Sequence, residues 1–298
     1  MALAFVFPGQ GSQFVGMLAT QAQRFPVIKA TFAEASEVLH YDLWALVSEG
    51  PEEKLNQTEY TQPALMAADL ALWRLLCELS DQRPTVLAGH SLGEFVAFVC
   101  AGSLQFAAAI RLVADRGRFM QEAVAKDEGA MAAIVGLSDA QVCALCEDIN
   151  DLVAPANFNS KGQVVIAGKR AAVLRAIELS KIAGAKLAKL IPVSVPSHCT
   201  LMQPAAEKLA ASLAAIEIVS PAIPVIHNVN ALSCQDPDTI RRCLIDQLTQ
   251  PVRWVDTIER MQAMGITDIV ECGPGKVLEG LIKRITKEIV LSKGVLDE

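Results

Sequence analysis

Four short apolar runs, LAFVF from Leu3, TVLAG from Thr85, PVIHNV from Pro224 and TDIVEC from Thr267, are too short for buried helices, and helical spacing follows each one. Strands apolar on both faces, alternating with amphipathic helices, predict a mainly parallel sheet covered on both sides. From about residue 127 the pattern changes. GAMAAIVGL, DLVAPANF, QVVIAG and KLAKLIPV read as strands, with helices at SDAQVCALCEDI and KRAAVLRAIELSKIAG. That β-α-β-β-α-β order is the ferredoxin-like split unit, able to close its own four-stranded sheet, and here it reads as an insertion. With 298 residues and 52% hydrophobic content, the chain can bury both cores. The expected fold class is therefore α/β, with a large subdomain over 1–126 and 195–298 and a small one over 127–194. The cleft between them is the default ligand site.

Further elements are expected as a helix after Ser12, a long helix opening at Pro63, and helices at TLMQPAAEKLAASLAAI, TIRRCLIDQL, WVDTIERMQAMG and GKVLEGLIKRI. No run reaches the roughly 18 apolar residues of a membrane span, and MALAFVFPGQ lacks a basic leader region. A cytoplasmic protein away from the membrane is expected. The net charge of −7 argues against nucleic acid as the main partner. Cys143 and Cys146 form a C-x-x-C, but their spacing puts both on one helix face and no second pair completes a metal site. The eight cysteines are expected as reduced thiols.

The stretch VLAGHSLGEF, residues 86–95, sets Gly-x-Ser-x-Gly between a strand and a helix. A serine hydroxyl needs a base within reach and donors for the oxyanion it creates. Gly89 and Gly93 suit a tight turn, and the Leu92 N–H points where an oxyanion would form. The alternative is a plain N-cap, with Glu94 completing a capping box. Four histidines are available. His40 ends a polar helix and reads as solvent-facing. His90 should point to the opposite side of the turn, and His227 lies in a buried strand pattern. His198, in SVPSHCT at the end of the insertion, sits in a loop that should line the cleft, which favours it over His227. Periodicity does not choose among Arg111, Arg116 and Arg118. PGQGSQ fits neither phosphate-loop spacing.

PGQGSQ, GHSLGE, DRGRFMQEAV, ANFNSKGQVVIAG, VPSHC, QLTQPVRW and ECGPGKVL occur in this order along the chain. Together they resemble the malonyl-CoA:acyl carrier protein transacylase family, the acyltransferases of bacterial fatty acid synthesis. The resemblance implies a hydrolase-like large subdomain with an inserted ferredoxin-like one. It implies Ser91 as acylated nucleophile and His198 as its base, with the amides of Gln10 and Leu92 as oxyanion hole. It further implies Arg116 as carboxylate binder, and Gln247 as a supporting residue near the carbonyl that orients the histidine. The implied substrate is malonyl-CoA, with no metal or organic cofactor, and the implied partner is acyl carrier protein. Residues 161–189 carry Lys161, Lys169, Arg170, Arg175, Lys181, Lys186 and Lys189 against Glu178 alone, a candidate docking face for an acidic carrier. Lys283, Arg284 and Lys287 form a second candidate patch, and a monomer is the default expectation. Two rival readings are a serine thioesterase, with an acidic triad member between Ser91 and His198, and a carrier-binding module without activity. Asp115, Asp127, Asp139 and Asp151 lie in that interval.

Overall fold

The computed structural model describes residues 2–193 and 195–292. Strand β1 (Leu3–Phe7) opens the chain, followed by helices α1 (Ala19–Arg24), α2 (Pro26–Leu39), α3 (Leu43–Glu49), α4 (Glu52–Leu55) and α5 (Thr58–Leu79). Strand β2 (Val86–Gly89) leads into α6 (Leu92–Cys100) and α7 (Phe106–Glu122). Next come β3 (Gly129–Val135), α8 (Asp139–Glu147), β4 (Val153–Ser160), β5 (Gln163–Lys169), α9 (Arg170–Ile182) and β6 (Leu187–Leu190). A short 3-10 turn at Thr200–Met202 precedes α10 (Gln203–Ala214) and β7 (Val225–Ile226). The chain continues through α11 (Pro237–Asp246), α12 (Trp254–Ala263), β8 (Asp268–Glu271), α13 (Val277–Ile285) and β9 (Val290–Leu291).

Five strands form one sheet in the order β7-β2-β1-β8-β9, and every pairing in it is parallel. Its two faces are both buried. Phe5 and Phe7 of β1 enter the core beneath α5 and α6, whereas Ala4 and Val6 enter the core beneath α12 and α13. Each fully buried Phe contributes roughly 1.5–3 kcal/mol, so a strand with both faces apolar has no stable place except the middle of a sandwich of helices.

The other four strands form an antiparallel sheet in the order β4-β5-β3-β6. Alternation along β3 divides its side chains. Ala130, Ala132 and Ile134 pack under α8 and α9, while Met131 joins Ala156, Val165, Ala167 and Cys199 on the other face. That second face looks toward the parallel sheet's loops. The two units are stitched where the Phe158 N–H donates to the Val252 carbonyl and the Val252 N–H donates to the Ala156 carbonyl, both at 2.9 Å. The boundary expected at residue 194 lies outside the described residues.

Three expectations need correction. The helix predicted after Ser12 begins only at Ala19, because Gly16 and Leu18 both adopt positive φ, which no right-handed helix tolerates. The long helix begins at Thr58 and carries Pro63 inside it. PVIHNVN yields only the two-residue strand β7, since the chain turns back at once through the His227 N–H to Leu232 carbonyl bond.

Candidate active site

Ser91 stands between the last residue of β2 and the first of α6, with φ 53° and ψ −106°. Only a tight turn with bare backbone on either side accommodates it. A Cβ on Gly89 would lie 1.9 Å from the Gly93 carbonyl carbon, and one on Gly93 would lie 2.1 Å from the Phe7 oxygen. Asn228, wholly buried, clamps the turn from β7's side. Its Oδ1 accepts from the Ser91 N–H at 2.7 Å and its Nδ2 donates to the Gly89 carbonyl at 2.7 Å. Positive φ costs a non-glycine residue of order 1–3 kcal/mol, so such a clamp must over-determine it.

Ser91 caps nothing. Its side chain makes no N-cap bond, and Glu94 does not close a capping box on it. The hydroxyl instead faces His198, whose Nε2 lies 2.8 Å from Oγ, and the His198 Nδ1 lies 2.7 Å from the Gln247 carbonyl. A carbonyl only accepts, so Nδ1 carries the imidazole proton and Nε2 is free to accept from Ser91. Burial, and then the nearby Arg116 charge, push the His198 pKa down from 6.5 to about 3. The ring is therefore neutral at physiological pH, the state a general base needs.

Arg116, on α7, is the buried arginine of its helix; Arg111 and Arg118 are exposed. Arg118 pairs with Asp115 and Glu122, whereas the Arg116 Nη1 donates to Gln62 Oε1 at 2.7 Å. Its Nη2 donates to Gln247 Oε1 at 2.8 Å and to Ser91 Oγ at 3.2 Å. Burial lowers its pKa to about 10, with Glu94 opposing that, and the side chain stays cationic at neutral pH. Glu94 is fully buried and accepts from Gln247 Nε2 at 2.6 Å and from the Asn228 N–H at 3.1 Å, with His227 Nδ1 at 2.7 Å. An amide thus separates the guanidinium from this carboxylate.

These groups open on a cavity of ≈ 110 Å³, where Gln10, Ser91, Leu92, Arg116 and His198 meet Met131, Asn157, Ile191 and Val193 from the antiparallel-sheet side. Leu92 is the first residue of α6, so its N–H has no acceptor within the helix. A profile of the acyl transferase domain matches residues 4–293.

The chain belongs to the acyl transferase family.

It is 54% identical over 291 residues to the malonyl CoA-acyl carrier protein transacylase of Escherichia coli K12, covering 97% of this chain and 94% of that one. Among solved structures it is similar to an acyl carrier protein S-malonyltransferase from Vibrio cholerae, with TM-score 0.96, 56% identity and coverage of 98% and 96%. It is also similar to a malonyl-transacylase solved in complex with a type II polyketide acyl-carrier protein, with TM-score 0.97, 52% identity and coverage of 98% and 96%.

In this acyltransferase the sequence misjudged some neighbours. His90 lines the same cavity as Ser91 rather than the far side of the turn, with Nε2 2.8 Å from Asn159 Oδ1. Asn228 and Gln62 were missed, although a polar residue inside an apolar run such as PVIHNVN signals a buried group that needs hydrogen-bond partners. His227 is buried beside Glu94, and His40 is exposed at the end of α2. Among the described residues no carboxylate is hydrogen-bonded to His198, whose partners are Ser91 Oγ and the Gln247 carbonyl; of the candidate acids, Asp115 pairs with Arg118 and Asp151 with Lys169. Of the basic stretch, Lys161, Lys169 and Arg175 pair with Glu259, Asp151 and Glu178, while Lys181, Lys186 and Lys189 are exposed. In the second patch Lys283 pairs with Glu279, and Arg284 donates to Gln163. Among the described residues no His, Cys, Asp or Glu cluster is arranged to hold a metal, and no helix is long and apolar enough to cross a membrane.

Proposed function

We propose that the protein transfers the malonyl group from malonyl-CoA to the phosphopantetheine thiol of acyl carrier protein by a ping-pong mechanism. One observation carries this reading: Ser91 Oγ lies within hydrogen-bond distance of a neutral base, His198, and of a buried guanidinium, Arg116. The names of the relatives supply the acyl group and the carrier.

In the first half-reaction His198 Nε2 takes the Ser91 proton while Oγ attacks the thioester carbon. The N–H groups of Gln10 and Leu92 stabilise the tetrahedral oxyanion, and coenzyme A leaves with the proton from His198. Arg116 holds the malonyl carboxylate, for which a guanidinium fork is the matched partner. In the second half the carrier's thiol gives its proton to His198 and attacks the malonyl-serine ester; the bond from the acyl carbon to Ser91 Oγ breaks, and Oγ takes the proton back from His198. The Gln247 carbonyl keeps the imidazole in the required tautomer. A carbonyl in that position, rather than a carboxylate, supports the serine-histidine pair over a thioesterase triad. None of these steps needs a metal or bound organic cofactor.

In this reading the parallel-sheet unit, residues 1–126 and 195–298, is the hydrolase-like catalytic subdomain, and residues 127–194 are a ferredoxin-like subdomain that closes the cleft. The carrier approaches over the exposed lysines of α9 and β6, and the enzyme works as a cytoplasmic monomer. Intact-protein mass after brief exposure to malonyl-CoA tests the proposal. A malonyl-sized gain, absent with acetyl-CoA and absent in Ser91→Ala, is expected. Steady release of coenzyme A with no adduct would favour a hydrolase, and neither adduct nor release an inactive module.

A further inference from the structure

Ser91 Oγ is engaged twice in the resting protein: it donates its proton to His198 Nε2 at 2.8 Å and accepts from Arg116 Nη2 at 3.2 Å. We infer that Arg116 is a latch on the nucleophile as well as an anchor, holding Ser91 unreactive until a carboxylate on the incoming acyl group draws the guanidinium away. The identity of that acyl group rests on the malonyl-transfer reading above.

Two physical effects point the same way. When Oγ attacks, one of its lone pairs becomes the new C–O bond, and an ester oxygen is a weaker acceptor than a hydroxyl. The charge-assisted bond from Arg116 therefore stabilises the resting state more than the state beyond attack. In addition, the proton moved to Nε2 creates an imidazolium linked to the guanidinium through a single oxygen, and like charges repel in a buried site. Burial first, and Arg116 second, already hold His198 far below its usual range. A carboxylate on the guanidinium relieves both effects at once.

The guanidinium is also left ready for such an anion. Its hydrogen-bond partners besides Ser91 are the amide oxygens of Gln62 and Gln247, and its buried Nε has no partner among the described residues. Glu94 balances the charge only across the Gln247 amide, so among the described residues no carboxylate occupies the fork. An acetyl group brings no anion and meets the latched serine. Discrimination then arises in the chemical step as well as in binding.

A small serine reagent reads the latch without any acyl substrate. With methanesulfonyl fluoride the Oγ–S bond forms, the S–F bond breaks, fluoride leaves and His198 takes the serine proton. Sodium formate, against sodium chloride at equal ionic strength, should speed modification of the wild type by about tenfold, the scale of one charge-assisted hydrogen bond lost from the ground state. Arg116→Met should start fast and ignore formate. Formate fills space as well as carrying charge, so acceleration by it cannot come from a widened pocket. If formate slows or leaves unchanged the wild-type rate, the latch is wrong, and this arm decides even where Arg116→Met fails to fold. The malonyl adduct, read by mass on the same preparation, tests the malonyl reading separately.

Discussion

On the parallel-sheet side of the cavity, Ser91, Arg116, His198 and Gln247 are tied together by hydrogen bonds of 2.7, 2.8, 2.8 and 3.2 Å, and the last three are buried. On the antiparallel-sheet side the lining is mostly apolar, from Met131, Ile191 and Val193, and the unit's outer edge carries exposed lysines. The difference teaches where order is needed. A serine on a strained turn and a buried cation persist only when several partners fix each of them, whereas an apolar wall needs only shape to exclude water. Chemistry should therefore fail sharply when the first side is altered and carrier handling should fail gently when the second is.

The sharpest test is Ser91→Ala, which should remove the acyl adduct and lower malonyl transfer by roughly 10⁶-fold while the chain stays folded. Residual transfer within tenfold of wild type would place the nucleophile elsewhere. Arg116→Ala comes next. Losing a charge-assisted partner of the acyl carboxylate should reduce malonyl acylation about 100-fold, and acetyl acylation should gain relative to it. A variant with undiminished malonyl selectivity would overturn the carboxylate assignment.

Two smaller effects test how rigidly the polar side is held. Asn228→Ala strands the Ser91 N–H and the Gly89 carbonyl, a cost of about 2–4 kcal/mol that urea unfolding would detect, with slower acylation alongside. His198 adds a pH dependence. Folded, it stays neutral down to about 3; unfolded, it protonates near 6.5, so the unfolded chain binds more protons between those values. Its contribution is complete above 6.5 and declines as pH falls toward 3, by up to about 1.4 kcal/mol per unit for this one group. His198→Gln should flatten that slope in urea titrations. An identical slope would mean the ring is not buried as described.

The same contrast explains what the sequence revealed. Strand β1, β2 and the helix after Ser91 were legible because local period and glycine spacing specify them, and β3 to β6 because each shows its own apolar run. The Arg116 position was within reach: Leu112, Val113, Gly117 and Met120 share its buried face, so an arginine there needed a reason. Asn228 and Glu94 were not legible as partners of the turn. The Asn228 bond to Ser91 spans 137 residues, and no local pattern encodes a contact that only the completed sheet creates. Glu94 looked like a capping residue because a capping box and a buried acid three residues after a serine share one spacing.

The gentlest test lies on the other side. Lys189 is on β6, the outer strand of the antiparallel sheet, and Lys186 immediately precedes it; both are exposed, and the chain runs from there to the Ile191 and Val193 wall. In a chain of net charge −7, exposed lysines along this outer strand are where an acidic partner would be drawn in. Rim charges act mainly on the association rate and are screened by salt. Lys186→Glu with Lys189→Glu should thus slow transfer to the carrier about 3- to 10-fold at low ionic strength, with the gap closing as salt is added. Self-acylation at saturating malonyl-CoA should stay at the wild-type rate, because neither lysine touches the hydrogen-bonded side of the cavity. Unchanged carrier transfer in low salt would remove this edge as the docking face. Parallel loss of self-acylation would break the division itself, since it would make the small sheet part of the chemistry rather than of access to it.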